Sequence, residues 1–160
     1  MMTQMIRVAL IVATTALLAT AQTCHIHGAL PDARCTPGAI RTTDARAICA
    51  PTFRTGPYRH TTASTKRRVF AEYGITHHRP GQYEVDHLIP LELGGADVIA
   101  NLWPEAALPI PGFHQKDKLE NYLRREVCAG RITLPVAQRC LSDNWLTCAH
   151  QLPDSVTLTP

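Results

Sequence analysis

Residues Tyr83 to Asn101 read Y-E-V-D-H-L-I-P-L-E-L-G-G-A-D-V-I-A-N. Gln82 to Pro90 alternates well enough for a strand, with Tyr83, Val85 and His87 on one face. Pro90 cannot donate to a ladder and ends the pairing. The strand therefore closes on an acid and a histidine side by side, Asp86 and His87. Gly94-Gly95 supplies a turn with the positive φ that glycine tolerates. Val98-Ile99 is expected as a short returning strand, and Asn101 follows fifteen residues after the acid. Trp103-Pro104 closes the loop, and Ala106 to Gly112 is a rigid, proline-rich connector.

Helices are expected on both sides of this stretch. Ser64 to Tyr73 carries the apolar stripe Val69, Phe70 and Tyr73, with Ser64 or Thr65 as cap and Gly74 as stop. Lys66, Arg67 and Arg68 sit in its first turns, the unfavourable end for the helix dipole, which hints that their charge serves something else. Phe113 to Ala129 repeats Leu119, Leu123 and Val127 on one face and stops at Gly130. His114, Asp117, Lys118 and Asn121 fall on the other side. A last helix is predicted from about Pro135 to Leu146, with Thr133 as cap. The pattern is α+β.

The termini and cysteines suggest a compartment. Arg7, the apolar run Val8 to Leu18 and Ala19-Thr20-Ala21 have the layout of a signal peptide over residues 1–21. The run is shorter than the ~20 apolar residues of a membrane span, so no stable membrane association is expected after cleavage. Residues 22–60 form a proline- and glycine-punctuated extension with a short helix at Thr43 to Ala50. Residues 61–150 form the main domain, and 151–160 a tail. All six cysteines lie beyond the cleavage site. An even count in an exported chain implies disulfides. Cys24, Cys35 and Cys49 lie in the extension, whereas Cys128, Cys140 and Cys148 lie near the C-terminus. Each group is odd, so at least one bond is expected to tie extension to body. The expected location is periplasmic or secreted, and the expected state monomeric.

The net charge of +3 is unevenly spread. Arg41 to Arg68 holds seven bases against Asp44, whereas Glu84 to Glu126 holds eight acids against four bases. A basic arm beside an acidic pocket suits a polyanion held over a metal ion. His87 titrates near neutral pH and is the candidate general base. Asp86 offers a hard oxygen to Mg²⁺, or to Mn²⁺ or Zn²⁺ as alternatives.

The segments E-V-D-H-L-I-P-L-E-L-G-G, N-L-W-P-E and H-x-K-D-x-L-E, over Tyr83 to Val127, resemble the HNH endonucleases of the His-Me finger class. The flanking Lys66 to Gly74 segment resembles what precedes this motif in exported bacterial members. The resemblance implies a small ββα-metal core with one divalent cation and cleavage of DNA or RNA. It implies that Asn101 ties the hairpin arms together and fixes the His87 backbone. It places a metal ligand at His114, with Asp117, one turn later, as the second choice. The spacing from Asn101 to His114 exceeds the compact pattern, and the insert Pro104 to Gly112 accounts for the excess. Lys116 and Lys118 are expected at phosphates, and Arg59, Lys66, Arg67 and Arg68 along the backbone of the nucleic acid.

The expectation is thus a metal-dependent endonuclease without marked sequence preference, acting on DNA or alternatively RNA. Its water is activated by His87 and its cation held by Asp86 with His114 or Asp117. Two rivals are a catalytically idle nucleic-acid-binding protein and a disulfide-rich exported binding or inhibitor protein. The first would lack turnover at His87. The second would lack both metal affinity and salt-sensitive binding of DNA.

Overall fold

The arm before the hairpin is strapped across it by backbone hydrogen bonds. In this computed structural model, which describes residues 23–151, Gly38 N–H donates to Ala100 O, and Arg41 and Thr42 N–H to Gly94 O. Ile40 forms an isolated antiparallel bridge with Gly95. The segment 1–21 and tail residues 152–160 lie outside the described residues.

The elements run α1 (Ala45–Cys49), α2 (Ala63–Glu72), β1 (Tyr83–His87), β2 (Leu102–Ala106), α3 (Phe113–Cys128) and α4 (Leu134–His150). Mixed helix and a two-stranded antiparallel sheet make the fold α+β. The strand return differs from expectation. β2 begins after Asn101, pairing His87 with Leu102 and Tyr83 with Ala106, and Val98-Ile99 belong to the intervening loop. Pro104 is tolerated in β2, opposite Val85, because each strand of a two-stranded sheet keeps an unpaired edge. Gly95 is required in the loop: a Cβ there would stand 1.8 Å from Ile89 O.

α2 is capped by Thr62, whose Oγ accepts the Thr65 N–H at 3.1 Å, rather than by Ser64 or Thr65. α3 opens with Gln115 Oε1 accepting the Gly112 N–H at 2.9 Å and is followed by Gly130 at φ +71°. α4 extends beyond the expected Leu146 to His150, across a non-helical Asn144.

The main core joins α1, α3 and α4 through Ile48, Leu119, Leu123, Val127, Leu134, Leu141 and Trp145. Each such side chain contributes about 1.5–3 kcal/mol by leaving water. A smaller cluster of Cys24, Tyr73, Leu88 and Trp103 lies under the hairpin.

Three disulfides staple the chain: Cys24–Cys35, Cys49–Cys128 and Cys140–Cys148. Cys49–Cys128 is the bond between extension and body, joining the end of α1 to the end of α3. Such a set belongs to an oxidising, extracytoplasmic environment. Among the described residues no helix is long and apolar enough to cross a membrane.

Candidate functional site

β1 alternates, so its last two residues part company. The Asp86 side chain is 25% exposed, whereas the His87 side chain is 3% exposed. Both border one cavity of about 600 Å³. Glu84, Glu92, Asp117, Glu120 and Asn121 supply its other acidic and amide groups, and Arg59 and Lys66 its bases.

His87 Nε2 lies 2.8 Å from Asp97 Oδ1. Asp97 also accepts the His60 backbone N–H and the Thr61 hydroxyl, both from the segment leading into α2. Burial pushes the Asp97 carboxyl up, but the hydrogen bonds from Thr61, His60 and His87 outweigh it and hold it below the usual range. Burial lowers the His87 pKa, and the Asp97 contact opposes that without overcoming it. The imidazole is therefore neutral at pH 7. With the proton on Nε2 facing the carboxylate, an assignment made from the partner, Nδ1 is left as the acceptor.

Asn101 is fully buried. Its Oδ1 accepts the Ile89 N–H at 2.9 Å, and its Nδ2 donates to Ile89 O at 2.8 Å and to Ala96 O at 2.9 Å. Its own carbonyl accepts the Leu88 N–H at 2.9 Å. The side chain thus gathers both ends of the loop that follows His87. Asn101→Ala would take the partner from the buried Ile89 N–H and C=O and from the half-buried Ala96 O and Ala39 N–H, with an expected cost of about 2 kcal/mol on the scale of unsatisfied polar groups. A urea titration that finds the variant within experimental error of wild type would contradict this.

Lys116 corrects the sequence reading most sharply. Expected at a phosphate, it is completely buried. Its ammonium lies 2.6 Å from Asp86 Oδ2, 2.5 Å from Glu120 Oε1, 2.8 Å from His87 O and 3.5 Å from Glu105 Oε2. The reason is helical period: Lys116 shares the inward face with Leu119 and Leu123. Burial would lower the Lys116 pKa, but the three carboxyls hold it well above its ordinary value. Burial raises Asp86 as well, but Lys116 prevails and keeps it ionised. Glu120 is pushed up to about 8, chiefly by burial. Glu105 is also raised strongly, by burial first and, against the opposing charge of Lys116, by Asp86 and Glu120.

The other expected residues divide. Asp117 borders the cavity, and burial and then Asp86 raise its pKa. His114 is exposed, rests on the Phe113 ring and does not border the cavity, so Asp117 is the better placed of the two helix candidates. Arg59 and Lys66 border the cavity, whereas Arg67 and Arg68 do not, and Arg68 pairs with Glu72 at 2.8 Å. Lys118 is exposed on α3. Asp97, Glu105 and Glu120 were not singled out from sequence. Glu120 carried the one local signal, its i+4 spacing from Lys116.

Among the described residues no three His, Cys, Asp or Glu side chains are grouped to hold a metal ion. Mg²⁺ does not need such a cage, since it binds through one or two carboxylates with waters and substrate phosphates. Asp86 and Asp117, two hard oxygen donors on one cavity, fit that requirement. No family model, no curated protein and no solved structure matches this chain.

Proposed function

We propose that the protein is an exported HNH-type endonuclease that hydrolyses phosphodiester bonds at the cavity where β1 ends. One observation carries the reading. An ionised Asp86 and a neutral, Asp97-held His87 leave the same strand end into one cavity that also presents Arg59 and Lys66. The hairpin β1–β2 followed by α3 has the element order of a ββα-metal core, which supports the resemblance.

His87 Nδ1 accepts the proton of the attacking water as its oxygen bonds to phosphorus. The P–O bond to the leaving sugar oxygen breaks, and that oxygen takes a proton from solvent. The imidazolium so formed is stabilised by Asp97 through Nε2–H until it returns its proton to water. Lys116 fixes the His87 carbonyl and the Asp86 carboxylate together, so base and acid keep a set relation. Asp86 and Asp117 would hold Mg²⁺, which when bound supplies positive charge at the phosphorus. Arg59 and Lys66 draw the polyanion in by charge, without reading bases. The protein acts in the periplasm or outside the cell, on DNA or RNA.

The test is cleavage of supercoiled plasmid and of RNA by oxidised mature protein, with Mg²⁺ and with EDTA. Metal-dependent nicking is expected. No cleavage of either polymer with Mg²⁺, Mn²⁺ or Zn²⁺ would sink the proposal and favour a binding protein.

Asp97→Asn separates positioning from mere packing. The amide removes the charge that raises the His87 pKa, so the acid limb of the rate profile moves to lower pH. Turnover is expected to fall by about 10²-fold, because an amide no longer fixes the tautomer. An unshifted profile would show that Asp97 does not act through His87.

A further inference from the structure

Phe70, His78 and Tyr83 meet beside the same cavity. The rings of Phe70 and His78 stack with centroids 4.4 Å apart and planes at 26°. Tyr83 stands edge-on to both, at 6.4 Å from Phe70 and 6.2 Å from His78. None of the three belongs to a hydrophobic core cluster. α2 reaches the interior through Val69 instead, with Tyr73 buried at its C-cap, so Phe70 is not its core contact. His78 is exposed, and Phe70 and Tyr83 are half-buried.

The stacked pair also borders a second recess of about 350 Å³, with Arg67 beside it. It therefore forms a ridge between two recesses, each with a base at its edge: Lys66 on one side, one helical turn from Phe70, and Arg67 on the other. Aromatic faces flanked by cations are what an unpaired nucleotide recognises: phosphates follow the charge and the base stacks on the ring. A duplex hides its base faces in its own stack and cannot use such a ridge.

We propose that Phe70, His78 and Tyr83 form a nucleobase-stacking platform that gives this site a preference for single-stranded nucleic acid. The proposal rests on the nuclease reading for what happens to the bound strand, but base-dependent binding can be measured without it.

The experiment is fluorescence anisotropy with full-length mature His87→Ala protein and three labelled probes. They are an oligothymidine, a strand of equal length and charge made of abasic sites, and a duplex. The oligothymidine is expected to bind about fivefold to a hundredfold tighter than the abasic strand. His78→Ala, at an exposed position, and the volume-sparing Phe70→Leu are each expected to close most of that gap while leaving abasic affinity unchanged. Equal binding of the two strands, tighter binding of the duplex, or a gap intact in both variants would overturn the platform. The two readings fail separately. Base-dependent binding without metal-dependent cleavage by the wild-type protein overturns the nuclease and keeps the platform. Cleavage without base dependence does the reverse.

Discussion

Replacing His87 with alanine is expected to lower plasmid cleavage by about 10²- to 10⁴-fold, the usual contribution of a positioned general base. The expectation follows from three features acting together. The imidazole is nearly covered, so burial keeps it neutral at pH 7 and able to accept a proton. Asp97 holds Nε2 at 2.8 Å and leaves Nδ1 as acceptor. Asp86, the adjacent residue, is kept ionised by Lys116 and opens to the same cavity. Because burial depresses the His87 pKa below 6.5, the wild-type rate should rise with pH through a value under 6.5 and then level off. Below that value His87 is protonated and cannot act as a base. His87→Gln serves as the packing control, since it retains a polar side chain near Asp97 but cannot titrate. It should melt near the wild-type temperature and still lose turnover. Wild-type rates in both variants would remove His87 from the chemistry.

Sequence alone reveals this site unevenly. Asp86 and His87 are adjacent in a strand whose alternation and terminating Pro90 are local features, so their position was legible. The same holds for α3, whose Leu119, Leu123 and Val127 repeat needs no tertiary context. The returning strand was misplaced because Val98 and Ile99 have strand propensity and Trp103-Pro104 does not. Pairing across the hairpin decided otherwise. Asp97 was invisible as a partner because its contacts are set by how the loop and the segment before α2 fold together. It meets His60 and Thr61 thirty-seven and thirty-six residues away. Lys116 was misread for a different reason. A lysine in a polar helix is ordinarily solvated, although its spacing from Leu119 and Leu123 already put it on the inward face.

Lys116→Met is expected to destabilise the fold by about 3–5 kcal/mol at neutral pH, the cost of removing one partner from a buried ionic group. Methionine can fill the volume, so a packing defect alone would account for far less. What it cannot replace is the ammonium among Asp86, Glu105 and Glu120. The dependence on pH separates the two causes. In the wild-type fold Glu120 keeps its proton up to about 8, against 4.5 ordinarily. Between those values the folded state binds more protons than the unfolded chain, so this residue makes stability fall as pH rises. Lys116 limits that loss because its charge opposes the effect of burial on Glu120. Without it the folded-state carboxyl pKa values rise further. Below about pH 8 Glu120 is protonated in the folded wild type, so the carboxyl whose ionisation depends on Lys116 in this range is Asp86. The deficit of the variant should therefore be smallest at and below about pH 4, where Asp86 takes up its proton in the unfolded chain too, and grow as pH rises toward neutrality. Denaturant titrations of both proteins across that range give the answer. A deficit that does not change with pH would mean that Lys116 acts by packing. A growing one would identify its ammonium as the internal cation that joins α3 to the strand end carrying Asp86 and His87.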